Sequence, residues 1–148
     1  MTTYTQSEIS QLVVGFIDQK LTHEQWTHEA HLIVACHYCS QFDFHEALIY
    51  LRSGIIALNV SMGVENTPEE GYHETLTVFW IWIISSYINA HNDEDLPTIV
   101  NGFLNSPLAS KELPLEFYSE DALFQLKARA RFIEPDIQPF QLDKLKSE

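Results

Sequence analysis

Positive charge is scarce in this chain. Eight lysines and arginines stand against twenty-one aspartates and glutamates in 148 residues, a formal net charge of −13. The basic residues form no cluster, so a phosphate backbone would meet only repulsion. Nucleic acid and anionic membrane surfaces are therefore not expected partners. Cysteine is nearly absent as well. Cys36 and Cys39 form a lone C-x-x-C, with no second pair to complete a zinc site and no preceding strand to suggest a thioredoxin-like motif. Three residues apart on a helix, they read as small buried groups.

Other absences narrow the classes further. The N-terminus has no basic segment followed by an apolar stretch, so no signal peptide is expected. The longest apolar run, residues 76–88, is interrupted by Ser85 and Ser86 and is too short to span a bilayer. A cytoplasmic protein without membrane contact is the expectation. Nucleophilic catalysis lacks its usual signatures, since there is no Gly-x-Ser-x-Gly elbow and no glycine-rich phosphate loop. Internal repeats, low-complexity tracts and strand-like alternation with hairpin turns are also missing.

What is present suits one globular domain over residues 1–148, with 45% hydrophobic and 12% aromatic residues. Helix signals recur along the chain. Thr5-Gln-Ser-Glu8 is a capping box ahead of Ile9, Leu12, Val13, Phe16 and Ile17, which share one helical face. Thr22-His-Glu-Gln25 is a second box, read as the start of a helix that is apolar on nearly every side from Leu32 to Tyr38. Asp43-Phe-His-Glu46 opens a third helix, in which Gly54 marks a close crossing. Thr67-Pro68-Glu69-Glu70 has the composition of a helix start, with a helix expected from there to about Ala90 and Gly71 delaying its regular part. A shorter helix begins at Leu96-Pro97, and a last one, capped at Ser119, runs to Ala130. The tail from Phe132 to Phe140 contains two prolines and reads as an extended segment over the bundle. The fold class is all-α: a single compact bundle of about six helices with an extended proline-containing C-terminal tail. A homodimer is compatible with this architecture where a helix exposes an apolar face.

Chemistry concentrates at two histidine stretches. His28 and His31 in Trp26-Thr-His-Glu-Ala-His31-Leu32 lie one helical turn apart, so their rings can converge, and Glu24 falls on the same face if the helix starts at Thr22. In Glu70-Gly-Tyr-His73-Glu74, Glu70 and His73 are similarly related if that helix starts at Pro68, with Thr77 beside them. Three imidazoles from two packed helices would hold a single divalent transition metal (Zn, Fe, Ni or Mn) and leave coordination positions open. Glu74 would then act as general base, or Glu70 or Glu74 as fourth ligand. A dinuclear carboxylate site is disfavoured, because only Glu70-x-x-His73 has the required spacing.

Three segments, W-x-H-x-x-H-L at 26–32, G-Y-H-E-T-L-T at 71–77 and F-I-E-P-D at 132–136, together resemble a functionally uncharacterised family of small bacterial all-α proteins. Family members read roughly F-x-H-x-x-H-V, Y-H-E-T-I-T and F-V-E-P-D-L in the same order. The likeness spans residues 26 to 140, with Trp26 and Ile133 as mild departures. It implies no reaction, but it points to His28, His31, His73, Glu74, Glu134 and Asp136 as the residues of interest. Two functional expectations follow. One is a metal-binding protein or metal-dependent enzyme acting on a small molecule, built on His28, His31 and His73. The other is a non-catalytic helical binding or interaction module whose histidines and acids form a structural polar network. As an alternative to catalysis, Glu74 accepts from His28 or His31 and fixes their tautomers, and Glu134 and Asp136 anchor the tail on backbone donors or on Arg129 and Arg131.

Overall fold

The computed structural model describes residues 3–140, and no strand occurs among them. Among the described residues seven α-helices make the bundle: α1 (Gln6–Ile17), α2 (His28–Gln41), α3 (Phe44–Ser61), α4 (Glu74–Ala90), α5 (Leu96–Leu104), α6 (Glu120–Leu123) and α7 (Leu126–Ala130). Two 3₁₀ turns, Pro107–Ala109 and Leu113–Glu116, carry the chain from α5 to α6. No helix among the described residues is long and apolar enough to cross a membrane.

Side-chain caps decide where the helices begin. At α1 the box closes as expected: Thr5 Oγ1 accepts from the Glu8 amide, and Glu8 Oε1 accepts from the Thr5 amide. At α3 and α5 the Asp43 and Asp95 carboxylates accept from the Glu46 and Thr98 amides. Two expected starts are displaced. The Thr22–Gln25 box forms, with both reciprocal bonds present, but it closes a single turn. The helix proper starts at His28, where Thr27 caps the Ala30 amide. Likewise Thr67 Oγ1 caps the Glu69 and Glu70 amides, yet the chain then passes through Gly71 at φ +97°. That left-handed backbone ends any helix there, and α4 begins only at Glu74 with His73 as its N-cap. The last predicted helix is broken into α6 and α7 at Phe124–Gln125.

The core forms around α2, which packs against α1, α3, α4 and α5. This central position is why α2 has no polar side: Leu32, Ile33, Val34, Ala35, Cys36, Tyr38 and Cys39 are all buried. Both cysteines are free thiols inside this core, and burial raises the Cys39 pKa to about 11. Gly54 sits where α3 meets α1, and a Cβ there would stand 2.3 Å from Phe16 Cζ. The expected tail is extended and pinned along its length. Thr75 Oγ1 donates to Arg131 O, the Tyr118 hydroxyl to Ile133 O, and the Ile137 amide to Phe117 O. Phe140 is stacked on Trp82 at 4.3 Å.

Candidate functional site

The two histidine stretches go to different places. His28 and His31 face a partly open cavity of about 390 Å³ between α2, α3 and α4. Its walls are Leu32 and Ala35 of α2, Leu51 and Ile55 of α3, and Leu76, Thr77, Trp80 and Ile81 of α4. Trp26 and Lys111 complete the lining. The volume falls in the range of small-molecule sites, and the composition matches too, mostly apolar walls with a few polar groups.

Backbone carbonyls set the tautomers of both histidines, because a carbonyl oxygen can only accept. His31 Nδ1 lies 2.7 Å from Thr27 O, so Nδ1 carries the proton and Nε2 keeps its lone pair. The ring is stacked on the Trp26 indole with centroids 3.7 Å apart, which fixes its plane. His28 has the opposite tautomer. Its Nε2 donates to Ala109 O at 2.8 Å, leaving Nδ1 with the lone pair. Trp80 meets the His28 ring edge to face at 5.3 Å. Burial holds the His31 pKa down to about 4, with the nearby His28 adding to the effect and the bond to Thr27 O opposing it. His31 is therefore a neutral acceptor at physiological pH.

His73 does not join them. It is the N-cap of α4: Nδ1 accepts from the Leu76 amide at 3.1 Å, and Nε2 donates to Leu123 O at 2.8 Å. An amide can only donate, so Nδ1 must be unprotonated and its lone pair is already used. Both ring nitrogens are spent on backbone groups, and the side chain is only 7% exposed. Burial lowers its pKa. The expected set of three converging imidazoles is not assembled, and no group of three or more His, Cys, Asp or Glu among the described residues could hold a metal ion.

Glu74, the expected base, is committed to a different contact. Arg52 grips both of its oxygens, through Nε at 3.0 Å and through Nη2, and the Tyr72 hydroxyl adds a bond of 2.6 Å. Burial alone would raise the Glu74 pKa, but the bonds from Arg52 and Tyr72 outweigh it and the net shift is downward. Glu74 lies outside the cavity lining. Glu24 and Glu70 are exposed and precede the helices they were expected to share with the histidines. The geometric link expected between each acid and its histidine is thereby removed. Thr77 does line the cavity, with its hydroxyl donating to His73 O at 2.9 Å. Asp136 anchors the tail, accepting from the Ser119 amide at 2.8 Å. Glu134 is exposed on the same strap. Arg129 does not serve either acid, since its guanidinium donates to Gly71 O and Glu69 O.

Sequence reasoning overlooked Lys111. It is exposed, lines the cavity, and was signalled by being the one lysine or arginine between residues 53 and 126. Comparison of the chain with protein-family models, with curated proteins and with solved structures finds no match.

Proposed function

We propose that this protein binds a small, mainly apolar molecule in the cavity between α2, α3 and α4, holding it by a hydrogen bond to His31 Nε2. One observation carries the reading. A neutral imidazole, fixed by Thr27 O and the Trp26 stack, presents a lone pair with no partner among the described residues in a largely apolar cavity of about 390 Å³. A donor on the ligand would satisfy the lone pair left open at His31, and the indoles of Trp26 and Trp80 would supply flat apolar contact.

Binding is favoured over proton-transfer catalysis by magnitude. A general base works best with a pKa near the operating pH, whereas His31 is held near 4. As a base it would be weak; as an acceptor it is always ready. The metal-dependent reading has less support. His28 Nδ1 and His31 Nε2 are two donors, one short of the three protein ligands that a catalytic zinc takes. The polar-network alternative is favoured by a specific observation for His73 and Glu74, whose polar atoms are satisfied by Leu76, Leu123, Arg52 and Tyr72. It accounts for one ring nitrogen of each cavity histidine, bonded to Ala109 O and Thr27 O, and gives no role to the His31 Nε2 lone pair.

The test compares phenol with toluene, two probes of nearly the same shape that differ in one donor. Binding is read from tryptophan fluorescence and from the histidine ¹⁵N shifts. Phenol is expected to bind about fivefold more tightly, the worth of one hydrogen bond, and His31→Leu should erase the difference. Equal affinities in the unsubstituted protein, or no response to either probe up to its solubility, would refute the reading.

A further inference from the structure

The cavity differs in charge from the rest of the molecule. Acidic residues outnumber basic ones twenty-one to eight in the chain, yet among the described residues no aspartate or glutamate lines this cavity, and the one charged liner is the cation Lys111. Arg52, by contrast, is paired with Glu74, and Arg129 is bonded to backbone carbonyls. No ion pair to Lys111 occurs among the described residues. The segment that carries it is also tied to α2: His28 Nε2 donates to the carbonyl of Ala109, two residues before Lys111. The cost of spending His28 on that carbonyl makes sense if the position of the 109–111 backbone matters to what the cavity holds.

We infer that the ligand of this cavity is an anion, an aromatic or similarly flat carboxylate that also bears an O–H or N–H donor, with Lys111 receiving its carboxylate and His28 positioning the backbone that presents Lys111. This inference rests on the binding reading above and specifies the class of molecule. Electrostatics decides between a neutral and an anionic ligand by range. The net negative field of the protein is screened beyond about 8–10 Å at physiological ionic strength, so at contact distance the local ammonium outweighs distant carboxylates. The same field sets a limit: it slows the approach of anions, and added salt should therefore speed association while weakening the contact itself. A ligand with a donor at one end and a carboxylate at the other would use two polar functions of this lining, the His31 lone pair and the Lys111 ammonium. Its ring would lie against Trp26 and Trp80.

The experiment titrates 4-hydroxybenzoate and its neutral isostere 4-hydroxybenzamide, followed by tryptophan fluorescence and calorimetry at physiological ionic strength. Homologues with one and two methylenes between ring and carboxylate test the reach of Lys111. At least one acid of the series is expected to bind about three- to fivefold more tightly than its amide, the ratio that an ion pair with an exposed lysine supports. In Lys111→Gln that ratio should fall to about one, and Lys111→Arg should restore it. His28→Leu should reduce the ratio with Lys111 still present, which a purely structural role for His28 would not do. Circular dichroism confirms folding of each variant. If phenol binds but every acid binds no better than its amide, the anionic ligand is overturned and the binding reading survives. A preference for the acids that persists in Lys111→Gln overturns the assignment of Lys111 as the partner of the carboxylate. If phenol itself fails to bind, both fall together.

Discussion

Replacing His73 by alanine removes two backbone partners at once, and the cost can be worked from the structure. The Leu76 amide loses its cap acceptor, worth about 1 kcal/mol. Leu123 O loses its donor, and an unsatisfied buried carbonyl costs about 1–3 kcal/mol. The expected total is about 3 kcal/mol, a large share of the roughly 5–15 kcal/mol that stabilises a domain. Urea unfolding followed by circular dichroism reads it directly. With a slope of about 2 kcal/mol per molar, the midpoint should fall by about 1.5 M with the slope unchanged. Asparagine separates the two contributions, because it restores the cap acceptor but is too short to reach Leu123 O. His73→Asn should therefore recover about 1 kcal/mol. The sign of the pH dependence follows from the lowered folded-state pKa of His73. Its contribution is complete above about pH 6.5, where the unfolded histidine is also neutral, and is lost as the pH falls below that. The gap between the unsubstituted protein and His73→Ala should narrow from pH 7 towards pH 5. A midpoint shift below about 0.5 M, corresponding to about 1 kcal/mol, or identical behaviour of the alanine and asparagine variants, would refute the capping argument. It would reopen a ligand-binding role for this histidine.

Two further outcomes follow from the packing around the cavity. His31 titrates near 4 when folded and near 6.5 when unfolded, so the unfolded chain takes up a proton that the folded one refuses. Stability should fall as the pH drops from about 6.5 to about 4, by at most about 3 kcal/mol from this group. Histidine ¹⁵N shifts should show a neutral, Nδ1-protonated ring at pH 6, and a folded-state pKa near 6.5 would refute the assignment. Gly54→Ala gains about 1 kcal/mol of helix propensity but drives a Cβ to 2.3 Å from Phe16 Cζ. The buried ring of Phe16 can yield little, so overpacking costing about 1–3 kcal/mol should prevail. A net rise in melting temperature would show that α1 and α3 separate more easily than their contact implies.

Much of the fold was legible locally, since a cap acts within one turn of its own residue. Thr5 with Glu8, Asp43 before α3 and Pro97 at the start of α5 each contain most of the information needed to start a helix. The failures are informative for the same reason. The Thr22 box and the Thr67 cap both form, yet nothing local says whether the chain continues as a helix beyond the first turn. After Thr67 the answer came from Gly71 at φ +97°, and its backbone is held in part by Arg129, 58 residues away. Once α2 and α4 begin at His28 and Glu74 rather than several residues earlier, Glu24 and Glu70 leave the faces they were expected to occupy.

The candidate site divides along the same line. Sequence alone determined an acidic all-α domain with a central apolar helix, and it drew attention to His28, His31, His73 and Glu74, because residue type and helical period are properties of the chain itself. Which of those groups would still have a free valence was decided only by the tertiary structure. Leu123 is 50 residues from His73, Ala109 is 81 from His28, and Arg52 is 22 from Glu74. A histidine or glutamate of given sequence context can be a ligand, an acceptor or a cap, and the choice belongs to the partner that packing delivers. Here packing spent His73 and Glu74 on structure, left one lone pair of His31 facing an apolar cavity, and placed Lys111 at its edge.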